Sequence, residues 1–378
     1  MIYFSLIPML ILGRLVSLRC RQKYKDVSHI DLLLTFLPFL AMALIVGLRG
    51  EATGVDTPSY LSDALKYRGI TYKEILENYL KVMKAHKGSF GLEIGYVSIA
   101  KFLTSTFHST QAPLLFMSFL TYFCFWIGVN YLSDDPYLSA MILLGCGFFI
   151  HSMNIARQMT AIGLMMIIYL LLLKKHQFAA FLLFIFAFFI HQTTIIGFLA
   201  IWLFTRVIPV RRSFVCMLLG LMLILVAIIQ PASKLFVKIF PKYISFLDVS
   251  NLQTFGGIKL LWMVELLFAL YLLIYGLRNI EHGAISMYDR HTFCSICFTF
   301  LYIPITYCSQ YVWLTDRIGL YFLIGLMFLF PIALKRLREH SPKPFYLLCT
   351  IAVWGMFILW FVKSTRLPEN VYSSPWIG

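Results

Sequence analysis

Three arginines, two carboxylates and a histidine stand out from an otherwise apolar chain: Arg49, Arg157, Arg317, Asp56, Glu93 and His191. A guanidinium donates paired hydrogen bonds to a phosphate and keeps its charge in a dry setting, so these arginines suit a phosphate or a similar anion. A carboxylate within hydrogen-bond reach of a hydroxyl can take its proton. Together these types suit holding an anion and moving a proton. Arg157 and Arg317 are the first choices for the phosphate and Arg49 the next, with Asp56 as base and Glu93 as the second base candidate. His191 reads as a base, a phosphate donor or an interhelical hydrogen-bond partner. Each has a plainer alternative: a snorkelling arginine, an Asx turn at Asp56 beside Pro58, a helix N-terminal carboxylate at Glu93. Tyr60 and Tyr96, and with them Gln158 and Asp316, are candidates for substrate contacts, the tyrosines equally for an interfacial aromatic belt.

These residues sit in a chain of 378 residues that is 60% hydrophobic and 13% charged, with mean hydropathy +0.81. No soluble domain of that size hides so much apolar surface from water, so the solvent is lipid. Runs such as 158–173 and 213–229 are apolar all round, and the alternation of a membrane barrel is absent. The fold class expected is all-α and polytopic, a single transmembrane domain over 1–378. The net charge of +15 is spread over short loops, which speaks against nucleic acid as a partner. The cysteines lie in or beside apolar segments. Cys294 and Cys297 are one helical turn apart, a packing pair rather than a zinc or redox motif. No metal or other cofactor is expected, since Asp56 and Glu93 form no oxygen cage.

Twelve spans are expected: 2–18, 30–48, 111–131, 137–153, 157–173, 177–191, 192–207, 213–229, 258–278, 292–311, 317–334 and 345–362. The loops rich in Lys and Arg (19–25, 174–175, 206–212, 278–290 and 335–343) then share one side, the cytoplasmic one, and both termini lie outside. Residues 93–108 would make a thirteenth span, but a full crossing there would reverse every later loop, so they read as a re-entrant or interfacial helix on the outer side. Two long external loops follow from this topology, 49–92 and 230–257. In the first, Tyr72, Ile75, Leu76, Tyr79, Leu80 and Met83 recur at helical spacing opposite Lys73, Glu74, Glu77, Lys81 and Lys84, an amphipathic helix lying on the membrane. In the second, Leu235, Phe236, Ile239, Phe240 and Tyr243 form a similar stripe beside lysines. Glu265 lies within a span with no legible partner. Asp134 and Asp135 fall on the cytoplasmic side and are discounted as site residues.

The order of polar motifs is informative. Arg49 is followed by Gly54-Val55-Asp56-Thr57-Pro58-Ser59-Tyr60, a G-x-D-x-x-x-Y string in a sharply bending loop. Then come Glu93-Ile94-Gly95-Tyr96, Arg157-Gln158, His191 after an aromatic run, and Asp316-Arg317-Ile318-Gly319-Leu320-Tyr321-Phe322. This ordered set, over roughly residues 30–335, resembles the EpsG-like branch of Wzy-type polysaccharide polymerases. It departs from that pattern at Arg49-Gly50-Glu51-Ala52-Thr53, where the family often has an aromatic after the arginine.

The resemblance implies a fold similar to the GT-C-like membrane glycosyltransferases. It implies an enzyme of a bacterial inner membrane, active at the periplasmic or outer face. The donor would be a growing glycan on a polyprenyl diphosphate and the acceptor one lipid-linked repeat unit. It further implies work alongside a chain-length regulator and a flippase. Two other readings stay open on the residues alone: a glycan ligase using the same donor, and a carrier or flippase of lipid-linked sugars. For a carrier, a cavity open to both sides and some repeat symmetry would be expected, and neither is legible.

Overall fold

The computed structural model describes residues 2–23, 28–85, 93–224, 256–277, 285–308 and 314–366. The amphipathic stripe expected at 235–243 lies outside them. Among the described residues every regular element is helical. The helices are α1 (Leu6–Lys23), α2 (Ser28–Gly47), α3 (Thr57–Gly69), α4 (Tyr72–Ala85), α5 (Ile94–Phe107) and α6 (Ala112–Leu132). Next come α7 (Pro136–Gly145), α8 (Phe148–Asn154), α9 (Ala156–Leu173), α10 (Gln177–Ile190) and α11 (Thr194–Trp202). The last are α12 (Arg212–Ile224), α13 (Gly256–Tyr271), α14 (Met287–Cys308), α15 (Leu314–Phe322), α16 (Ile324–His340) and α17 (Lys343–Ser364).

Six helices are long and apolar enough to cross a bilayer: Ile2–Cys20, His29–Gly47, Ala112–Leu132, Ala156–Leu173, Met287–Cys308 and Lys343–Ser364. Two bent pairs raise the number to eight if each is one span. Four further apolar helices, α10, α11 with its π turn to Val207, α12 and Leu261–Gly276, are shorter. The bends are where the structure departs from the spans expected at 137–153 and 317–334. The first breaks into α7 and α8 with a 52° bend at Cys146-Gly147, where Gly147 takes φ +86°. The second breaks at Leu323, between α15 and α16, by 41°. In both cases local composition reads as one apolar run, while the neighbours packed around it set the bend.

Chain direction sorts the helix ends into two sets. α6 and α9 both start at the end that carries Arg49 and Arg157 and both finish at the other, where Lys174 Nζ lies 4.4 Å from the centre of the Tyr131 ring. A helix of 21 residues such as α6 spans about 30 Å, the thickness of a hydrocarbon core. Arg19, Lys174, Lys175, Arg206, Arg211, Arg212, Arg290, Lys335, Arg338 and Lys343 all fall at that second end. Residues flanking α5 stay at the first: Glu93 touches His191 before α5, and Gln111 after it donates to the Arg49 carbonyl (2.9 Å). α5 therefore does not carry the chain from one end to the other.

The stretch 49–92, read as a loop, contains two helices. Thr57-Pro58 starts α3 because proline's fixed φ suits the first helical turn, so Tyr60 sits on a helix and not in a bent loop. α4 is the amphipathic helix expected; of its apolar stripe Ile75 is buried, while Tyr72, Leu76 and Leu80 stay exposed. Its N-terminus carries a reciprocal cap: Thr71 N donates to Glu74 Oε2 at 2.5 Å and Glu74 N to Thr71 Oγ1 at 3.2 Å. Hydrogen bonding to Thr71 holds the Glu74 carboxyl below its usual range.

The bundle is centred on α9, buried along most of its length and packed against α6, α10 and α11. Thr121 and Thr160 pair their hydroxyls across α6 and α9 (2.9 Å), whereas both carboxyl oxygens of the buried Glu265 have no hydrogen-bond partner among the described residues.

Candidate functional site

The site is assembled at the first end, where α3, α5, α8, α9, α15 and the α10–α11 turn converge. Its centre is Glu93, the residue before α5. Gly95 decides its place: a Cβ there would stand 2.7 Å from the Phe189 carbonyl oxygen, so only glycine lets α5 lie this close to the last turn of α10. That contact is two residues from His191, whose Nδ1 hydrogen-bonds Glu93 Oε1. On the other side Arg157 Nη1 lies 2.8 Å from Glu93 Oε2, a charge contact off the hydrogen-bond line. One carboxylate thus holds an imidazole and a guanidinium from two other helices.

Arg157 is also set between aromatic faces, 5.6 Å from the Tyr60 ring centre and 5.2 Å from that of Tyr96, with the two rings edge to face at 5.9 Å. Its side chain remains 41% exposed, against 10% for Glu93, so the guanidinium is held from behind and open in front. Tyr96 is buried, which pushes its phenol up and keeps it protonated.

Gln158 follows Arg157 and donates from Nε2 to the Arg317 carbonyl at 2.6 Å, tying α9 to α15. Asp316 faces His151 of α8 at 3.9 Å. Tyr321 and Thr193 share a hydroxyl contact of 2.9 Å that ties α15 to the α10–α11 turn.

The segment before α3 is held from α8. Gly54 takes φ +80°, and a Cβ on it would stand 2.5 Å from the Met153 carbonyl oxygen. Val55 N donates to Asn154 Oδ1 at 2.7 Å. Asp56 follows at the N-cap of α3, yet its side chain accepts no cap bond and has no hydrogen-bond partner among the described residues. The Asx-turn alternative is therefore not what Asp56 does here; its carboxylate is left available one turn before Tyr60.

Arg49 takes a different place from that expected of a phosphate ligand. It is fully buried, with Nε donating to Thr57 Oγ1 (2.8 Å) and Nη1 to the Val46 carbonyl (2.5 Å). Burial pushes its guanidinium down to about 10, offset in part by the nearby tyrosines, so it remains a cation at neutral pH. It braces the Asp56 segment from inside; a diphosphate at the surface would not reach it.

Sequence reasoning placed Arg157, Glu93, His191, Tyr60 and Tyr96 as separate candidates, and the structure brings them into one cluster. It missed Gln111, whose amide bridges the Gly47 and Arg49 carbonyls at 2.7 and 2.9 Å, and Thr193. Neither carries a sequence signal, because amides and hydroxyls at helix starts are common. No group of three or more metal-ligating side chains occurs among the described residues.

Fold and site together define a polytopic helical membrane protein with a charged, aromatic-backed cluster at one end of its bundle. A family model described as the EpsG family matches residues 32–374, and the chain belongs to that family, one of Wzy-like polysaccharide polymerases. No curated protein and no solved structure matches it.

Proposed function

We infer that the chain polymerises oligosaccharide repeat units carried on polyprenyl diphosphate, at the outer face of a bacterial inner membrane. The observation that carries this reading is Arg157: a half-exposed guanidinium, backed by Tyr60 and Tyr96 and anchored by Glu93, at one end of a lipid-embedded bundle. A donor that diffuses in the bilayer presents its diphosphate at such an end, and no nucleotide-sugar domain is required. The basic residues gathered at the opposite end support placing the site on the outer side.

In this reading Asp56 accepts the proton of the acceptor hydroxyl, and the freed oxygen attacks the anomeric carbon of the growing glycan. The new C–O bond forms as the bond to the diphosphate breaks, and the polyprenyl diphosphate leaves with the electron pair. Arg157 and Arg317 meet the charge that develops on it, an interaction stronger in the transition state than in the ground state. His191 turns Nδ1 to Glu93 and offers Nε2 to the same phosphate. Glu93 is a positioning residue rather than the base, because Arg157 matches its charge at one oxygen and His191 Nδ1 occupies the other. Arg49 positions Asp56 through Thr57. Asp316 is assigned to the sugar and its approach, whereas Tyr60, Tyr96 and Gln158 are buried and act from behind, the tyrosines on Arg157 and Gln158 on the Arg317 carbonyl.

The test is a reaction of purified protein with a polyprenyl-diphosphate-linked repeat unit. A ladder of products spaced by one repeat, lost in Arg157→Ala and Asp56→Ala proteins that remain folded, is the expected result. Unchanged substrate with movement of the lipid across liposomes would overturn it in favour of a carrier. Transfer to a lipid core without a ladder would make the chain a ligase.

A further inference from the structure

The end of the bundle opposite the site contains a cavity of about 900 Å³ between α1, α7, α16 and α17, and nothing in the transfer reaction uses it. Its charges are unevenly matched. Lys335 Nζ lies 2.7 Å from Asp134 Oδ1, Arg14 Nη2 lies 2.7 Å from Asp135 Oδ2, and Glu339 is met by Arg336 at 3.5 Å. Every carboxylate lining the cavity is thus paired. Arg338 and Lys343, which line it as well, have no ion-pair partner among the described residues. Two unmatched cations at a space of ligand size select an anion.

The walls say which kind. Leu18 and Leu347 line the cavity and are themselves 47% and 45% exposed, so the space opens sideways as well as at the end. The same outward faces of α1 and α17 continue as Leu15, Leu348 and Ile351, all exposed and apolar, a surface for hydrocarbon. A free phosphate would use the cations and leave this opening without purpose; a phosphate with acyl chains uses both. Basic pockets between spanning helices hold anionic headgroups in this manner.

We propose that this cavity binds the phosphodiester headgroup of an anionic phospholipid, with Arg338 and Lys343 on the phosphate and an acyl chain along Leu18 and Leu347. The ion pairs Arg14–Asp135 and Lys335–Asp134 tie α1 and α16 to the segment before α7 beside the cavity. The proposal does not rest on the transfer reaction assigned to the other end.

The experiment reconstitutes the full chain in phosphatidylcholine vesicles with a trace of spin-labelled phosphatidylglycerol or, separately, spin-labelled phosphatidylcholine, and reads the motionally restricted fraction of each. Wild type is expected to prefer phosphatidylglycerol by about tenfold, two cations near a headgroup being enough for this. R338Q/K343Q should remove the preference, and Leu347→Trp, which fills the opening without changing charge, should reduce it. The preference should survive K174Q/K175Q, which removes the same charge elsewhere at that end. An equal loss in that control would show a diffuse surface effect and overturn the proposal. So would no preference in wild type, or displacement of the lipid by millimolar inorganic phosphate. Circular dichroism of each variant separates loss of the site from loss of the fold.

Discussion

Glu93 and Arg157, 64 positions apart in sequence, meet at 2.8 Å between the start of α5 and the start of α9, and His191 closes on the same carboxylate from α10. Removing one partner of a half-buried pair leaves the others unmatched. Glu93→Gln is expected to lower polymerisation about a hundredfold while costing about 1–2 kcal/mol of stability, since Arg157 is open to water. Product ladders and thermal unfolding of one preparation check both. A variant that unfolds without specific loss of turnover per folded molecule would make the contact purely structural.

Gly54 and Gly95 are each placed where a methyl group would meet a carbonyl oxygen, at 2.5 and 2.7 Å. Gly54→Ala adds the strain of a positive φ. It is expected to destabilise by about 1–3 kcal/mol and to reduce turnover by displacing Asp56. Gly95→Ala should lengthen the distance between Glu93 and His191, read as a loss of turnover that adding His191→Ala does not deepen.

Arg49 and Thr57 form one link in the brace behind Asp56. Lysine cannot donate to Thr57 and Val46 together in the same fork geometry, so Arg49→Lys should lose activity although charge is kept. Thr57→Val should remove the same link. A double-mutant cycle on turnover is expected to give a coupling of about 1 kcal/mol or more, and additive losses would show that the two act separately.

The cap at the start of α4 is pH-dependent in a defined direction. Glu74 accepts from Thr71 in the folded chain, so its carboxyl lies below its unfolded value. Its contribution is complete above the unfolded value of an ordinary glutamate and disappears as pH falls through the depressed folded one. Amide exchange at residues 72–75 should therefore be slow at pH 6 and accelerate, relative to the rest of α4, under acid. Glu74→Gln should show the faster exchange at both.

Leaving-group stabilisation is assigned to arginine. Turnover should persist in excess EDTA, and complete loss restored by magnesium would reassign that role to a divalent cation.

The sequence alone determined the class of protein, because each spanning helix satisfies its own backbone hydrogen bonds and needs only local apolar composition to be recognised. It also determined α4, whose periodicity is local, and which residue types can meet a phosphate. What it could not supply was company. Glu93, Arg157 and His191 look alike as isolated polar residues at helix ends, and only the close approach at Gly95 makes them one cluster. Arg49 reads as an exposed arginine until Thr57 and the Val46 carbonyl are seen to enclose it. The 52° break at Cys146-Gly147 and the cavity between α1 and α17 depend on which helices pack together. Those choices are set by contacts across a hundred or more residues, whose pairing no local pattern encodes.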